Sequence, residues 1–354
     1  MTKAELLNPS SHTAVSTPEG AIDVNTLSAT PFRIDYQCAE LNTANLSGTA
    51  LASITYTDHT QQDESDPGKL SVGLPNLDAQ LPVHEIWTTS KPVSKGFLNG
   101  IGYSQTDDVL FAHILLDESK FDDIDHAAYT AYTHLLQFIE DRGYPHMLRV
   151  WNYFPRINQD GRTIERYKGF CAGRYDALIS TRHFEQSLPA ASAIGTHCQG
   201  LLVYLIAGKV PGIQVENPRQ ISAYKYPPRY GKKSPSFSRA TFKTWPHADH
   251  FYISGTASVV GHETRHVNDT LGQLDETLIN IESLIEECHS KHAQIHSVRD
   301  MNLLKVYIRN AQDYPAIKAK LQESIGSVPT LYLLGDICRD DLLLEIEGFY
   351  CLVK

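Results

Sequence analysis

A Gly three residues before a Cys, followed by an apolar strand, occurs twice in this chain: Gly195-Thr-His-Cys-Gln-Gly-Leu-Leu-Val-Tyr-Leu-Ile-Ala207 and Gly335-Asp-Ile-Cys-Arg-Asp-Asp-Leu-Leu-Leu-Glu-Ile-Glu347. Two copies of one local pattern constrain the fold strongly, because a duplicated chain must build the same supersecondary unit twice. At equal offset, Leu205 and Ala207 of the first copy stand opposite Glu345 and Glu347 of the second. A polar residue kept in one copy only is a candidate for chemistry, since the shared architecture manages without it.

The flanking segments repeat as well. Residues 122–143 carry apolar side chains at three- and four-residue spacing and stop at Gly143, which predicts a helix; the apolar, aromatic run from His146 to Phe154 predicts a strand. In the second half a helix is expected over 269–287, with Asp269 as N-cap, and a strand over Leu303 to Ile308. A further helix follows in each half, near 163–184 and 314–325. Each half therefore reads strands, helix, strand, helix, strands: an α+β sandwich with helices on one face of its sheet.

With 354 residues the chain is long enough for two domains with sizeable cores. The expected division is a flexible N-terminal arm over 1–30, a first domain over 31–210 and a second over 211–354. Residues 57–69 are polar enough to be a loop. The formal net charge of −10 argues against a nucleic-acid surface. An anionic small molecule remains compatible with it, because converging Arg and Lys side chains set the local potential. No run of eighteen apolar residues predicts a membrane span. The N-terminal segment lacks the basic-then-apolar order of a secretory leader, so a cytoplasmic location is expected.

The six cysteines (38, 171, 198, 288, 338 and 351) show no CxxC pair, which fits reduced thiols and no metal cluster. His262-Glu-Thr-Arg-His266 matches H-E-x-x-H, a zinc motif that needs a helix to bring both rings to one face. Here the match follows a strand-like run and a Gly and precedes the helix expected at Asp269. A turn is expected, with no metal.

Several separated segments, in order, resemble the chorismatase family: Arg149-Val-Trp-Asn-Tyr153, Glu165-Arg-Tyr-Lys-Gly-Phe170, Gly173-Arg174, Glu216-Asn-Pro-Arg-Gln220, Ser234-Pro-Ser-Phe-Ser-Arg239 and Tyr252-Ile-Ser-Gly-Thr-Ala-Ser-Val-Val-Gly-His-Glu263. The resemblance runs from about Phe32 to the C-terminus. The second half also resembles the YjgF/RidA superfamily, so the resemblance implies two tandem modules of that kind, with mixed sheets. The first would be degenerate and the second catalytic.

The resemblance implies an enzyme that cleaves the enolpyruvyl ether of chorismate and releases pyruvate without a cofactor. It assigns the acid to the first Glu of the E-I-E strand, Glu345. A carboxylic acid with a raised pKa suits protonation of an enol ether carbon. The substrate's two carboxylates call for Arg forks and hydroxyl donors. Arg149, Arg166, Arg174, Arg229 and Arg239, with Tyr153, Tyr224 and Tyr226, lie in or beside the motifs. Members that form 3-hydroxybenzoate, some with 4-hydroxybenzoate, resemble this chain at Gly255 and Cys338. Members that hydrolyse chorismate to a dihydroxycyclohexadiene acid tend to have Ala at the first position and lack Cys at the second. The expected product is therefore 3-hydroxybenzoate. The alternatives are a chorismate hydrolase giving the dihydroxycyclohexadiene acid, a RidA-type imine deaminase, disfavoured because Val328-Pro-Thr-Leu331 stands where those proteins carry P-A-R, and a non-catalytic ligand-binding module on the same fold, disfavoured by Glu345. Whether the protein is a monomer or a homo-oligomer is left open by the sequence.

Overall fold

A computed structural model describes residues 30–38, 49–78, 83–181 and 184–354. The arm expected over 1–30 lies, apart from Thr30, outside the described residues. The first sheet contains β1 (Arg33–Cys38), β2 (Thr49–Tyr56), β3 (Gln61–Gln62), β4 (Lys69–Val72) and β5 (Val83–Thr89), in the order β1-β5-β2-β4-β3. The polar stretch 57–69 is thus not wholly a loop, because Gln61 and Gln62 pair with Ser71 and Leu70.

The next two sheets are topological copies. One comprises β6 (Ser94–Leu98), β7 (Ile101–Gln105), β8 (Val109–Leu116), β9 (His146–Pro155), β10 (Ala190–Thr196) and β11 (Leu201–Gly208). Helix α1 (Ile124–Asp141) precedes β9 and α2 (Arg166–Leu178) follows it; the sheet order is β10-β9-β11-β8-β7-β6. The other comprises β12 (Ile213–Val215), β13 (Ala240–Thr244), β14 (Ala248–Thr256), a small hairpin of β15 (Val259–Val260) and β16 (Glu263–Thr264), then β17 (Leu303–Ile308), β18 (Thr330–Leu334) and β19 (Leu344–Val353). Helix α3 (Thr270–Lys291) precedes β17 and α4 (Tyr314–Ile325) follows it, and the order is β12-β13-β14-β19-β17-β18. Each unit has one parallel pair, β9 with β10 and β17 with β18, in an otherwise antiparallel sheet. The fold is α+β with mixed sheets, and the expected 210/211 division falls between β11 and β12.

Helices cover one face of each copied sheet. Ala131, Leu135 and Phe138 of α1 pack with Val150, Val203 and Leu205, while Leu278, Ile281 and Ile285 of α3 pack with Val306, Leu344 and Ile346. The opposite faces turn inward with the first sheet around a shared interior of Trp87, Trp151, Tyr153, Tyr204, Tyr252, Tyr307 and Phe349.

The two Gly-x-x-Cys turns meet. Gly195 N–H donates to Asp336 O at 2.8 Å and Asp336 N–H donates to Gly195 O at 2.9 Å. A Cβ on Gly195 would lie 2.6 Å from the Cβ of Asp336, and one on Gly335 would lie 2.9 Å from Ile194 Cγ2. Close approach of the turns explains both glycines. The equal-offset pairing of Leu205 with Glu345 does not hold in space. Leu201 starts β11 six residues after Gly195, whereas Leu344 starts β19 nine residues after Gly335. The odd difference of three turns the strand over, since successive side chains alternate. Leu205 and Ala207 therefore face their helices, and the inward positions that match Glu345 and Glu347 are Leu202 and Tyr204.

Candidate active site

Strand β19 places Leu344 and Ile346 among the helices and turns Glu345 and Glu347 the other way, opposite Tyr307 and Lys305 of β17. On its other side β19 pairs with β14, whose register shifts between Ile253 and Thr256. The extra residue is a bulge at Ser254 and Gly255 that re-aims the strand. The bulge is pinned to the first module: Ser254 Oγ accepts from Ala191 N–H at 2.8 Å, and Gly255 N–H donates to Ser192 Oγ at 3.0 Å. The missing side chain of Gly255 leaves room for the Glu345 carboxyl, because a Cβ there would stand 1.7 Å from Glu345 Oε1.

Glu345 lies at the floor of a cavity of about 540 Å³, within the usual range for small-molecule sites, formed between the two modules. The first module contributes Tyr167, Phe170, Cys171 and Arg174 from α2, with Ser192 from β10. The second contributes Tyr226, Arg239, Gly255, Cys338, Arg339 and Glu345. Burial and the nearby charge of Glu347 raise the Glu345 carboxyl to about 8, against the pull of Arg149 and Arg239. Glu347 is held down to about 2, because Lys305, Arg149, Ser192 and Trp151 compensate its burial. Two carboxyl groups on one strand face thus have opposite protonation at neutral pH.

Arg174 brings a positive charge to the cavity wall. Gly173 allows α2 to press on α1, since a Cβ there would stand 1.9 Å from Asp125 O, and the next residue projects into the cavity. The Arg174 guanidinium lies over the Tyr132 ring at 4.9 Å, and its buried Nε and NH2 have no hydrogen-bond partner. Unpartnered buried guanidinium donors are costly, and an anionic ligand in the cavity would satisfy them. Arg239 donates to Tyr226 Oη at 2.7 Å and to Ile221 O at 2.9 Å, and its buried Nε is also unpartnered. Arg339 lies over Tyr230 and donates to His262 O. Arg229 stands at the exposed rim against His262 and Glu263. Enclosure, with Glu345 adding to it, pushes the Cys338 thiol up to about 12, so at neutral pH it is a soft neutral wall and not a thiolate.

Glu345, Cys338, Gly255, Arg174, Tyr226, Arg229 and Arg239 therefore come together around one cavity. Four residues named from the sequence stand outside its lining. Arg149 is buried behind it on Glu347 and Ser192. Tyr153 belongs to the shared interior, its hydroxyl 2.9 Å from that of Tyr307. Arg166 is held by Glu118 and by Pro155 O. Tyr224 packs against the core of the first module. Each satisfies a scaffold contact that a linear motif does not distinguish from a ligand contact.

Sequence reasoning missed Arg339, Ser192, Tyr167, Cys171 and Tyr230. Arg339 had a signal, because the first copy has Gln199 at the same offset, the test that singled out Glu345. The H-E-x-x-H match lies on the β15–β16 hairpin and the turn after it. His262 Nδ1 meets Arg229 NH2 at 2.8 Å, whereas His266 Nε2 meets Glu276 at 3.4 Å, so the rings serve separate partners. The side chains of Cys171, Cys198, Cys288, Cys338 and Cys351 are free thiols. No helix among the described residues is long and apolar enough to cross a membrane.

Comparison with known proteins identifies the family. Residues 85–207 match the family described as chorismatase FkbO/Hyg5-like, N-terminal. A 3-hydroxybenzoate synthase of Streptomyces hygroscopicus is 35% identical over 297 residues, 79% of this chain and 86% of that protein. A chorismatase of Streptomyces rapamycinicus is 37% identical over 276 residues, 75% of this chain and 81% of that protein. A chorismatase crystal structure superimposes with a TM-score of 0.85 at 30% identity, covering 91% of this chain and 99% of that one. The chain belongs to the chorismatase family.

Proposed function

We propose that this protein cleaves the enolpyruvyl ether of chorismate, releasing pyruvate and forming 3-hydroxybenzoate. The observation that carries the reading is the buried Glu345 carboxyl, raised to about 8 by burial and by Glu347, facing a cavity whose wall holds unpartnered guanidinium donors of Arg174 and Arg239. A dicarboxylate with an acid-labile vinyl ether is matched by both features. Glu345 delivers its proton to the methylene carbon of the enolpyruvyl group, which leaves an oxocarbenium-like centre next to the ether oxygen. Arg174 and Arg239 bind carboxylate in a fixed geometry.

The hydroxybenzoate product follows if the ring's own hydroxyl, and not water, acts on the protonated intermediate: the ring C–O bond to the enolpyruvyl group breaks with its electron pair leaving on pyruvate, and loss of a ring proton then aromatises the ring with one oxygen retained. Chorismate then splits into pyruvate and hydroxybenzoate with no net water and no change of oxidation state overall, so no cofactor is invoked. The dihydroxydiene product would consume one water. Gly255 supports the first route by fixing where the acid sits, and Cys338 by lining the cavity with a group that does not ionise at neutral pH.

The test is incubation of the purified protein with chorismate, with pyruvate followed through lactate dehydrogenase and ring products separated by chromatography. One pyruvate per chorismate with 3-hydroxybenzoate as the main ring product is expected. No pyruvate would overturn the reaction, and mainly dihydroxydiene acid would overturn the product.

A further inference from the structure

Glu347 is saturated with donors where Glu345 has none. Its Oε2 accepts from Arg149 NH2 at 2.7 Å and Ser192 Oγ at 2.6 Å; its Oε1 accepts from Trp151 Nε1 at 2.7 Å and Lys305 Nζ at 3.0 Å. Lys305 reaches on to Glu85 of the N-terminal sheet at 2.9 Å, and Glu85 also accepts from Tyr56 Oη and Trp87 Nε1. Two carboxylates and two cations, formally neutral together and almost wholly out of solvent, tie all three large sheets to one point. A buried ionic cluster of this kind is weak as a source of stability, since a well-packed apolar replacement is often as stable. Its position beside Glu345 suggests another reason for it.

We propose that Glu347 is a positioning residue for Glu345: a permanently ionised carboxylate, locked by Arg149 and Lys305, whose charge keeps the neighbouring carboxyl in its proton-carrying form. This rests on Glu345 being the acid of the proposed reaction. On a regular strand the two residues are about 6.6 Å apart along one face, close enough for strong coupling in a buried setting. The other titratable or charged groups around Glu345 are Tyr167, Cys171 and Arg174 from α2, Arg149 from β9, Tyr307 from β17, Arg239 ahead of β13, and Cys338 and Arg339 from the turn before β19. Arg149 and Arg239 favour the ionised form of Glu345. Glu347 is the carboxylate that opposes them. Glu85 strengthens the arrangement by sharing Lys305, which leaves Glu347 less fully neutralised.

The experiment is a carboxyl-carbon NMR titration of Glu345 in the full-length, substrate-free protein, paired with the pH profile of pyruvate release. It compares the unmodified protein with Glu347→Gln and with Glu347→Gln combined with Lys305→Met. The double variant removes an ion pair together and keeps the network formally neutral if the single one fails to fold. The Glu345 midpoint should fall from about 8 by at least about one unit, a tenfold change in its protonated fraction at fixed pH. The alkaline limb of pyruvate release should move down in pH with it, whatever the height of the plateau. A folded variant with an unmoved Glu345 midpoint would overturn the proposal. A midpoint that moves while the pyruvate profile stays put would uphold the coupling and remove Glu345 as the acid.

Discussion

The Cβ that alanine would bring to position 255 falls on the carboxyl of Glu345, at the far end of a flexible side chain. Gly255→Ala should therefore fold normally and displace the acid. Because a shift on the order of 1 Å can change a rate about a hundredfold, pyruvate release should fall, and combination with Cys338→Ala should move the ring products toward the dihydroxydiene acid. An unchanged hydroxybenzoate fraction in the double variant, measured by chromatography, would make both residues packing groups. Arg174 yields a second expectation. Its unpartnered donors gain from a carboxylate and give the empty protein nothing, so Arg174→Met should raise KM roughly tenfold or more, the scale of a lost charged hydrogen bond, without lowering thermal stability. Saturation kinetics and a melting curve test both halves. Glu345 itself is held against its preference. An unfolded chain releases this proton near 4.5 and the folded one at about 8. The folded state thus binds the extra proton in that window and loses stability as pH rises through it. Glu345→Gln should melt at a higher temperature than the unmodified protein above pH 8, and the gap should shrink toward pH 4.5.

At the scale of elements, the site depends on how closely α2 lies on α1. A Cβ on Gly173 would collide with backbone, Asp125 O at 1.9 Å, whereas one on Gly169 would meet the Ile124 side chain at 2.9 Å. Gly173→Ala should cost more stability than Gly169→Ala and should weaken substrate binding through Arg174; equal melting temperatures for the two would contradict the close-packed helix pair. These helices were readable in the chain because their apolar spacing is local, and so were β17 and α4, which match their expected bounds. The second helix of the first half is shorter at both ends than the expected 163–184 and spans Arg166–Leu178. The bulge at Ser254 and Gly255 had one local signal, a Gly inside a strand-like run, but its consequence depends on the pairing with β19 and on the contacts with β10. For the same reason the repeat revealed Glu345 and Glu347 but misaligned them with Leu205 and Ala207. A three-residue difference in loop length is invisible until strands are paired.

At the scale of the molecule, the cavity exists only where the two modules meet, and the charged cluster behind it joins both to the N-terminal sheet. The candidate Arg and Tyr residues were legible as a group from the resemblance, yet which of them reach the cavity was not. Arg149 and Tyr153 sit on the strand that passes beneath it, and only the three-dimensional arrangement separates a wall from a foundation. Glu347 adds a pH signature to the whole fold. Held at about 2 in place of 4.5, it contributes stability above the ordinary carboxylate range and loses it as pH falls from about 4.5 toward 2. The change across that window is on the order of 3 kcal/mol, a difference between the two protonation states of Glu347 and not the worth of the cluster against an apolar replacement. Glu347→Gln should be markedly less stable than the unmodified protein at pH 6, with the difference narrowing in acid; a constant difference would mean that the cluster acts by packing alone.

The central claim, that Glu345 gives its proton to the enol ether, is tested most directly by the rate of pyruvate release from chorismate in the unmodified protein and in Glu345→Gln between pH 5.5 and 9.5. The account predicts a rate that falls about tenfold per unit above the Glu345 midpoint of about 8. In the variant it predicts a rate lower by about 10²–10⁴, the scale of a lost general acid, without that limb. Turnover by Glu345→Gln within tenfold of the unmodified protein, with the alkaline limb intact, would contradict it.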